Sequence, residues 1–238
     1  MPYKIDEVTA ISKKYEIPVI EDSAESLGSR FKGQKLGTFG DLSVISFNGN
    51  KIITTSGGGA LVSRNKDIKV KTVYLSTQAK DEAPHYEHSA LGFNYRMSNI
   101  SAGIGRGQME VLEQRIKQRR DNHQFYLDLF KDIEGVKVLT EPNSDFFSNH
   151  WLTAITIDTE VQPIDRESIR LKLLEENIES RPVWKPMHIQ PYFRNEMYYG
   201  TDVAEGIFNN GLCLPSGSNM DVEDKERLHE TFRLIFKR

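Results

Sequence analysis

The sequence predicts an α/β protein, with a large first domain followed by a smaller α+β domain. Three short apolar runs in the first half alternate with segments whose apolar residues recur at helical spacing. Between residues 77 and 95 the chain is polar and aperiodic, which predicts a loop. Alternating strands and helices are typical of layered α/β folds.

The first helix is predicted close to the N-terminus, where apolar residues recur at helical spacing, namely Ile5, Val8, Ile11 and Tyr15. Pro18 ends this helix because proline cannot continue its hydrogen bonding. Buried strands are predicted to open at 19–20 and to span 42–47 and 60–63, the last after the glycine run 57–59. A helix that feeds a buried strand is an unusual start for a domain, so we expect further sequence upstream.

A single long helix is predicted from Ser98 to about Ile133, with Gly135 as its cap. Its apolar face would comprise Met109, Leu112, Ile116, Phe125, Leu129 and Ile133. We predict the domain boundary near Gly135. Residues 1–134 would then form the C-terminal part of a large domain, and residues 135–238 a small C-terminal domain.

The small domain is predicted to contain a strand at 151–157, helices at 165–178 and 222–236, and an extended, proline-broken segment at 181–188. The residues predicted to face inward from its two helices are Ile169, Leu173, Leu174, Leu228, Phe232 and Ile235. Mixed strands and helices of this kind indicate an α+β arrangement.

Composition and charge argue against several classes of protein. The 31 basic and 34 acidic residues give a net charge of −3, without the basic excess of a nucleic-acid binder. No apolar run approaches the roughly 20 residues that span a bilayer, and Met1–Asp6 lacks the apolar core of a signal peptide. Cys213 is the only cysteine, so no disulfide can form within the chain, and a cytoplasmic location is predicted. We interpret Cys213 as a buried packing residue.

Three polar residues lie at or just after the ends of the first two apolar runs, where ligand-binding groups are often found. Asp22 ends the first run, where open α/β sheets bind ligands, although an acid there can also be an ordinary cap. Ser46 and Lys51 follow the second run. A loop lysine is usually a solvated charge, and the functional alternative is a Schiff-base nucleophile. The glycine run 57–59 permits either a turn or a close approach to a ligand.

The order of these segments resembles the DegT/DnrJ/EryC1/StrS family of sugar aminotransferases, a branch of the fold-type I pyridoxal-phosphate enzymes. The matching stretches are Val19–Val62, GFNYRMSNISA at 92–102, RPVWKPMH at 181–188 and LPSG at 214–217. The resemblance implies a partial large-domain sheet, pyridoxal 5′-phosphate as cofactor, and a chain that lacks the family's N-terminal part.

The resemblance also implies roles for individual residues. Lys51 would bind the cofactor covalently and move a proton, Asp22 would pair with the pyridine nitrogen, and Ser46 would contact the phosphate. Glu25 stands where many relatives carry glutamine, near the phenolic oxygen of the ring, so it would have to share a proton or point elsewhere. Asn94 would reach the cofactor phosphate of a partner subunit, which implies a homodimer.

Lysine at position 51 distinguishes aminotransferases from the sugar dehydratases of this family, which carry histidine there. The resemblance therefore implies transfer of an amino group, usually from glutamate, to a nucleotide-linked 4-keto-6-deoxy sugar in cell-surface glycan biosynthesis. The alternative is an inactive fragment of such an enzyme, which would need a missing N-terminal segment or a partner chain.

Residues 181–188 resemble those of UDP-4-amino-4,6-dideoxy-N-acetylhexosamine transaminases. We expect Arg181 and Lys185 to hold a diphosphate, and Trp184 or His188 to stack on the base or sugar. The alternative is a rigid connector whose aromatic residue packs inside the small domain.

Two further classes are disfavoured. His85 and His88 lie near Glu87 but lack a convincing third ligand, so no metal site is predicted. A Rossmann-type nucleotide-binding module would require a glycine fingerprint after the first strand, and the sequence has none there.

Overall fold

The computed structural model describes residues 3–237. Met1, Pro2 and Arg238 lie outside the described residues, so the first two residues of Met1–Asp6, the segment without the apolar core of a signal peptide, are not described. The chain divides into two compact units. The first runs up to Lys117 and includes Glu141–Trp151, and the second comprises Gln118–Thr140 and the chain from Leu152 onward. The predicted division into residues 1–134 and 135–238 stays a prediction, because packing within one chain does not define functional domains.

The described chain combines helices and strands, as the sequence predicts, but they do not alternate strictly, because the first helix is followed by five consecutive strands and then by three consecutive helices. The helices are α1 (Ile5–Tyr15), α2 (Lys66–Ser76), α3 (Asn99–Glu110), α4 (Leu112–Phe130), α5 (Arg166–Glu175), α6 (Val203–Asn210) and α7 (Val222–Ile235). The strands are β1 (Ile20–Asp22), β2 (Arg30–Phe31), β3 (Gln34–Lys35), β4 (Leu42–Ser46), β5 (Gly59–Val62), β6 (Val136–Val138), β7 (Phe146–Phe147), β8 (Thr153–Ile157), β9 (Arg181–Pro182) and β10 (Gly211–Leu214). Short 3-10 turns follow at Met187–Ile189 and Pro191–Phe193.

The first unit is organised around a three-stranded sheet of order β1-β4-β5. Strands β1 and β4 are parallel, with Asp22 opposite Val44, and β5 pairs antiparallel with β4, with Gly59 opposite Ser46. The three strands predicted in this half are thus present, with slightly different limits. The prediction that they are buried is wrong for β5, whose residues are all exposed, and for Ile20 of β1, which is 65% exposed. A second sheet, β3-β2-β7, was not predicted, because its two-residue strands give no periodic signal.

The second unit has an antiparallel sheet of order β6-β8-β10-β9. Alternate residues of β8 are buried and every residue of β10 is buried, so β8 is covered on one face and β10 on both. Its buried core includes Tyr126, Phe130, Ile155, Leu212 and the residues predicted to face inward from the two helices, Ile169, Leu173, Leu228, Phe232 and Ile235. Leu174 is the exception, since it is 54% exposed and the prediction for it is wrong.

The long helix predicted from Ser98 to Ile133 is divided at Val111 into α3 and α4. Helix α3 contains three glycines, which weaken a helix, and at Gly105 a Cβ atom would lie 2.9 Å from the Thr55 methyl group. Met109, predicted on the inner face, is 47% exposed. Gly135 lies in a turn beyond the end of α4, with φ +76°.

Candidate active site

The carboxyl ends of β1 and β4 meet at one edge of their sheet because the two strands are parallel. Asp22 ends β1 with an exposed side chain, whose Oδ1 accepts a hydrogen bond from the Ala24 N–H at 3.2 Å. Ser46 ends β4, and its Oγ accepts from the Asn48 N–H at 3.3 Å. The predicted acid and hydroxyl therefore lie at neighbouring strand ends.

Glu21 is a buried carboxylate that the sequence interpretation missed. It precedes Asp22 but faces the opposite side of β1 and is 1% exposed. Its two oxygens accept hydrogen bonds from the N–H groups of Gly37 at 2.9 Å, Phe39 at 2.7 Å and Gly40 at 2.7 Å. Two consecutive acids at the end of a buried strand must point to opposite faces, and this is the signal that could have identified one of them as structural.

Lys51 lies in the turn after β4, and its side chain is only 11% exposed. Its Nζ forms an ion pair with Oε1 of Glu25, a side chain that is 46% exposed. The structure therefore brings together two of the residues predicted to bind the cofactor. Glu25 is directed at the lysine amine, and the expectation that it shares a proton beside the phenolic oxygen of the ring or points elsewhere stays a prediction.

Two buried residues that carried no predicted role lie next to Lys51 and Glu25. The Trp151 ring centroid is 4.6 Å from Lys51 Nζ, and its Nε1–H donates to the Asn50 carbonyl at 2.6 Å. The Asn149 amide donates to the Glu25 carbonyl at 2.9 Å, and Asn149 is 2% exposed. Trp151 was predicted to begin a strand, but β8 begins at Thr153.

Packing of the chain against itself explains two residues of the glycine run 57–59, whereas a Cβ atom on Gly57 would meet no atom within 4 Å. Gly58 has φ +89°, a conformation that favours glycine. A Cβ atom on Gly59 would collide with the Ile45 carbonyl of the neighbouring strand, and one on Gly58 would lie 2.8 Å from the Met97 methyl group. The close approach that the glycines permit is therefore to the protein's own backbone and side chains.

Asn94 lies in the predicted loop, paired through its backbone with Thr77, and its side chain is exposed. The loop is closed by hydrogen bonds such as that from the Gln78 N–H to the Phe93 carbonyl at 3.0 Å. The rings of Phe93 and Tyr95 stack beside Asn94, with centroids 5.0 Å apart. Asn94 is thus held by an ordered backbone and presented to the outside.

The predicted substrate residues lie in the second unit. Arg181 pairs with Glu179 at 2.6 Å, and both side chains are exposed. Trp184 is 63% exposed and Lys185 is also exposed, so Trp184 does not pack into the core of this unit. His188 stacks on the Tyr198 ring at a centroid distance of 3.7 Å, and its Nε2 lies 2.9 Å from Oε1 of Glu205, a second partner that the sequence did not indicate.

The described residues offer no cluster of three or more His, Cys, Asp or Glu side chains that could hold a metal ion. His85 contacts Glu87 at 2.9 Å, and His88 contacts the Gln78 carbonyl at 2.9 Å. Within residues 3–237, no helix combines the length and apolar character needed to cross a membrane.

An acid at one strand end and a shielded lysine after the neighbouring parallel strand fit the fold-type I class of pyridoxal-phosphate enzymes. Comparison with protein families narrows this class, because the DegT/DnrJ/EryC1/StrS aminotransferase family matches residues 1–233. The chain belongs to that family, and its cofactor is pyridoxal 5′-phosphate.

The relatives include EpsN of Bacillus subtilis, whose name assigns it provisionally to the pyridoxal phosphate-dependent aminotransferases. It is 46% identical over 237 residues, which cover 98% of this chain and 60% of EpsN. GDP-perosamine synthase of Escherichia coli O157:H7 is 34% identical, covering 93% of this chain and 59% of the synthase. The crystal structure of DesI with its TDP-sugar product has a TM-score of 0.87 at 25% identity, covering 100% of this chain and 60% of DesI. The chain thus spans about 60% of the length of the proteins it matches.

The chemistry of the residues at the sheet edge fits this cofactor. Lys51 supplies a primary amine that is largely withdrawn from solvent, Asp22 an exposed carboxylate for a ring nitrogen, and Ser46 a hydroxyl at the adjoining strand end. Pyridoxal phosphate needs three kinds of partner: an amine that reacts with its aldehyde, an acid that pairs with its pyridinium nitrogen, and hydrogen-bond donors for its phosphate.

Proposed function

We propose that this chain carries the lysine-bearing part of the active site of a sugar aminotransferase. The enzyme would move an amino group from glutamate to a nucleotide-linked 4-keto-6-deoxy sugar, in the cytoplasm, for cell-surface glycan biosynthesis. The observation that carries the proposal is the placement of Asp22 and the shielded Lys51 at one carboxyl edge of the parallel pair β1 and β4.

When bound, pyridoxal phosphate supplies an electron sink for the carbon that carries the transferred nitrogen. Asp22, exposed at the end of β1, would hold the ring nitrogen in its protonated form. Lys51 would hold the cofactor through Nζ and would carry the proton exchanged with the reacting carbon. Ser46 would donate a hydrogen bond from its hydroxyl to the phosphate.

Glu25 and Lys51 form an ion pair, so the amine has a counter-ion before the cofactor arrives. We assign Glu25 to the neighbourhood of the phenolic oxygen of the ring. Two adjacent anions would repel each other there. A Glu25→Gln variant removes that repulsion, and we expect it to bind the cofactor at least as tightly as the parent chain.

We propose a homodimer in which Asn94 of one subunit donates to the cofactor phosphate in the active site of the other. Support comes from the large apolar side chains exposed near Asn94, since Leu91 is 80%, Tyr95 76% and Ile100 75% exposed. Exposed apolar groups in proximity along the chain are typical of an interaction surface.

The nucleotide sugar would contact the exposed segment of the second unit. Lys185 and Arg181 provide charge for the diphosphate, and Trp184 and His188 provide flat surfaces for the base or sugar. Arg181 would have to exchange its exposed partner Glu179 for phosphate, which costs little because surface ion pairs are weak. A UDP-linked N-acetylhexosamine is the proposed substrate.

Cofactor titration followed by borohydride reduction and peptide mass mapping tests the proposal. We expect a pyridoxyl group on Lys51 and none in Lys51→Ala, while Lys185→Ala serves as a matched control that keeps the adduct. A folded chain without any adduct at saturating cofactor would refute cofactor binding by this chain and favour the inactive fragment. Where the adduct forms, amino transfer from glutamate to a panel of UDP-, GDP- and TDP-linked keto-sugars identifies the substrate.

A further inference from the structure

Trp151 is the buried aromatic residue that lies against Lys51. It is 7% exposed, and the centroid of its ring is 4.6 Å from Lys51 Nζ. An ammonium group within about 6 Å of an indole face is attracted by the negative potential of the ring. The tryptophan therefore contributes attraction as well as shielding to the lysine amine.

The indole N–H of Trp151 makes a second, independent contact with the same turn. It donates to the Asn50 carbonyl at 2.6 Å, and Asn50 immediately precedes Lys51. The Lys51 N–H in turn donates to the Asn48 carbonyl at 3.1 Å. One side chain thus holds both the backbone at the base of the lysine and the amine at its tip.

The orientation of Trp151 is itself fixed by the segment before it. The Trp151 N–H donates to Oδ1 of Asn149 at 2.9 Å, while the Asn149 amide donates to the Glu25 carbonyl at 2.9 Å and the Leu27 carbonyl at 3.0 Å. His150, between them, has φ +43°, which non-glycine residues seldom adopt. The Trp151 ring, the Glu25 backbone and the Lys51 turn are therefore linked by hydrogen bonds within the first unit.

We propose that Trp151 is a positioning residue for Lys51, with its ring face holding the amine and its N–H fixing the turn. The proposal rests on the proposed function, in which Lys51 is the residue that attaches the cofactor. A lysine side chain is long and flexible, so a reaction at its tip gains from any contact that limits where Nζ can lie. Trp151 limits the position from one side, and the Glu25 carboxylate provides the charge partner.

The contact can be measured without cofactor, by labelling the lysines with ¹³C-formaldehyde and borohydride and recording the N-methyl resonances. A lysine above an aromatic ring gives resonances shifted upfield by the ring current. Other lysines also lie near aromatic rings, for example Lys80, whose Nζ is 4.5 Å from the Tyr86 ring centroid. The upfield pair of Lys51 is therefore assigned by its loss in Lys51→Arg. Trp151→Leu should return it to the position of the exposed lysines, and Trp151→Phe should leave a smaller shift. Trp184→Leu, which removes the only other tryptophan, should not move it.

Hydrogen exchange and chemical labelling report on the two contacts separately. Trp151→Phe keeps a ring but loses the N–H donor, so amide exchange in the turn 48–55 should accelerate by about fivefold. Trp151→Leu should also raise the rate at which acetic anhydride labels Lys51, by roughly tenfold relative to Lys185 in the same sample. Circular dichroism checks that each variant is folded. If Trp151→Leu does not fold, Trp151→Phe is the variant that tests the inference.

Two outcomes separate this inference from the proposed function. A Lys51 resonance without an upfield shift in the parent chain, or one that Trp151→Phe and Trp151→Leu leave unmoved, overturns the positioning role, whether or not the pyridoxyl adduct forms. A shifted resonance in a chain that never forms the adduct refutes the proposed function and leaves the contact between Trp151 and Lys51 established.

Discussion

Replacing Glu21 by glutamine isolates the contribution of one buried carboxylate to the stability of the first unit. Its oxygens accept three backbone hydrogen bonds, at 2.9 Å from Gly37, 2.7 Å from Phe39 and 2.7 Å from Gly40. Phe39 and Gly40 share one oxygen, so the amide of Glu21→Gln would keep its oxygen there and turn its NH₂ towards the Gly37 N–H. The NH₂ group and the Gly37 N–H, both hydrogen-bond donors, would then face each other at a position where the parent side chain is only 1% exposed.

The loss can be estimated from the bonds involved. A hydrogen bond to a charged group contributes roughly 1.5–3 kcal/mol, and a buried donor left without an acceptor costs about 1–3 kcal/mol. The two terms overlap, and the neutral amide is less costly to bury than the carboxylate. We therefore expect Glu21→Gln to lower the free energy of unfolding by about 2–4 kcal/mol.

Urea unfolding followed by tryptophan fluorescence measures this change, because Trp151 lies in the same unit. Glu110→Gln is the matched control, since Glu110 is exposed at the end of α3, and it should change the free energy by less than about 0.5 kcal/mol. A Glu21→Gln chain as stable as the Glu110→Gln chain would refute the role of the carboxylate as the anchor of residues 37–40.

Two further predictions concern the second unit. Burial raises the pKa of the Cys213 thiol to about 11, so almost no thiolate is present at pH 8. Iodoacetamide should leave the folded chain unmodified at that pH and alkylate Cys213 once urea unfolds it; rapid alkylation of the folded chain would contradict the burial. Asp165 caps α5 by accepting from the Ser168 N–H at 2.7 Å, and this backbone hydrogen bond, with one from the Ser168 hydroxyl, lowers the pKa of Asp165. Because the folded-state pKa is the lower one, the stabilisation is present above the unfolded value near 4 and is lost as the pH falls through the folded value. Asp165→Ala should therefore cost about 1 kcal/mol at pH 7. Asp165→Asn should retain most of the cap and lose this part of the pH dependence, and a variant that keeps the full acid sensitivity would assign it to another group.

The elements that sequence periodicity predicted correctly are those whose signals are local. Helix α1 begins at Ile5 where the apolar spacing begins, and α7 begins after Asp221, which forms a capping box with Asp224. Strands β4 and β8 are confirmed because alternation or apolar character within a few residues is enough to indicate them. A cap or a period is a property of neighbouring residues, so it can be recognised without knowledge of the fold.

The wrong predictions concern features that distant residues decide. The break at Val111 was missed, and Gly105, on the helix before that break, lies against Thr55, a residue far away in the chain that a local pattern does not include. Leu174 continues the apolar pattern of α5 but is exposed, because periodicity does not state how wide the buried face is. The sheet β3-β2-β7 pairs Arg30 with Phe147, a contact that no short window of sequence contains.

The sequence by itself determined the family, the α/β class and the order of Asp22, Ser46 and Lys51 along the chain, because these depend on residue types and their spacing. Only the tertiary structure decided that Glu25 pairs with Lys51 and that Trp151 lies against the amine. Lys51 and Trp151 are remote in sequence, and a side chain acquires its neighbours from the packing of the whole unit. No local pattern could therefore have indicated that contact.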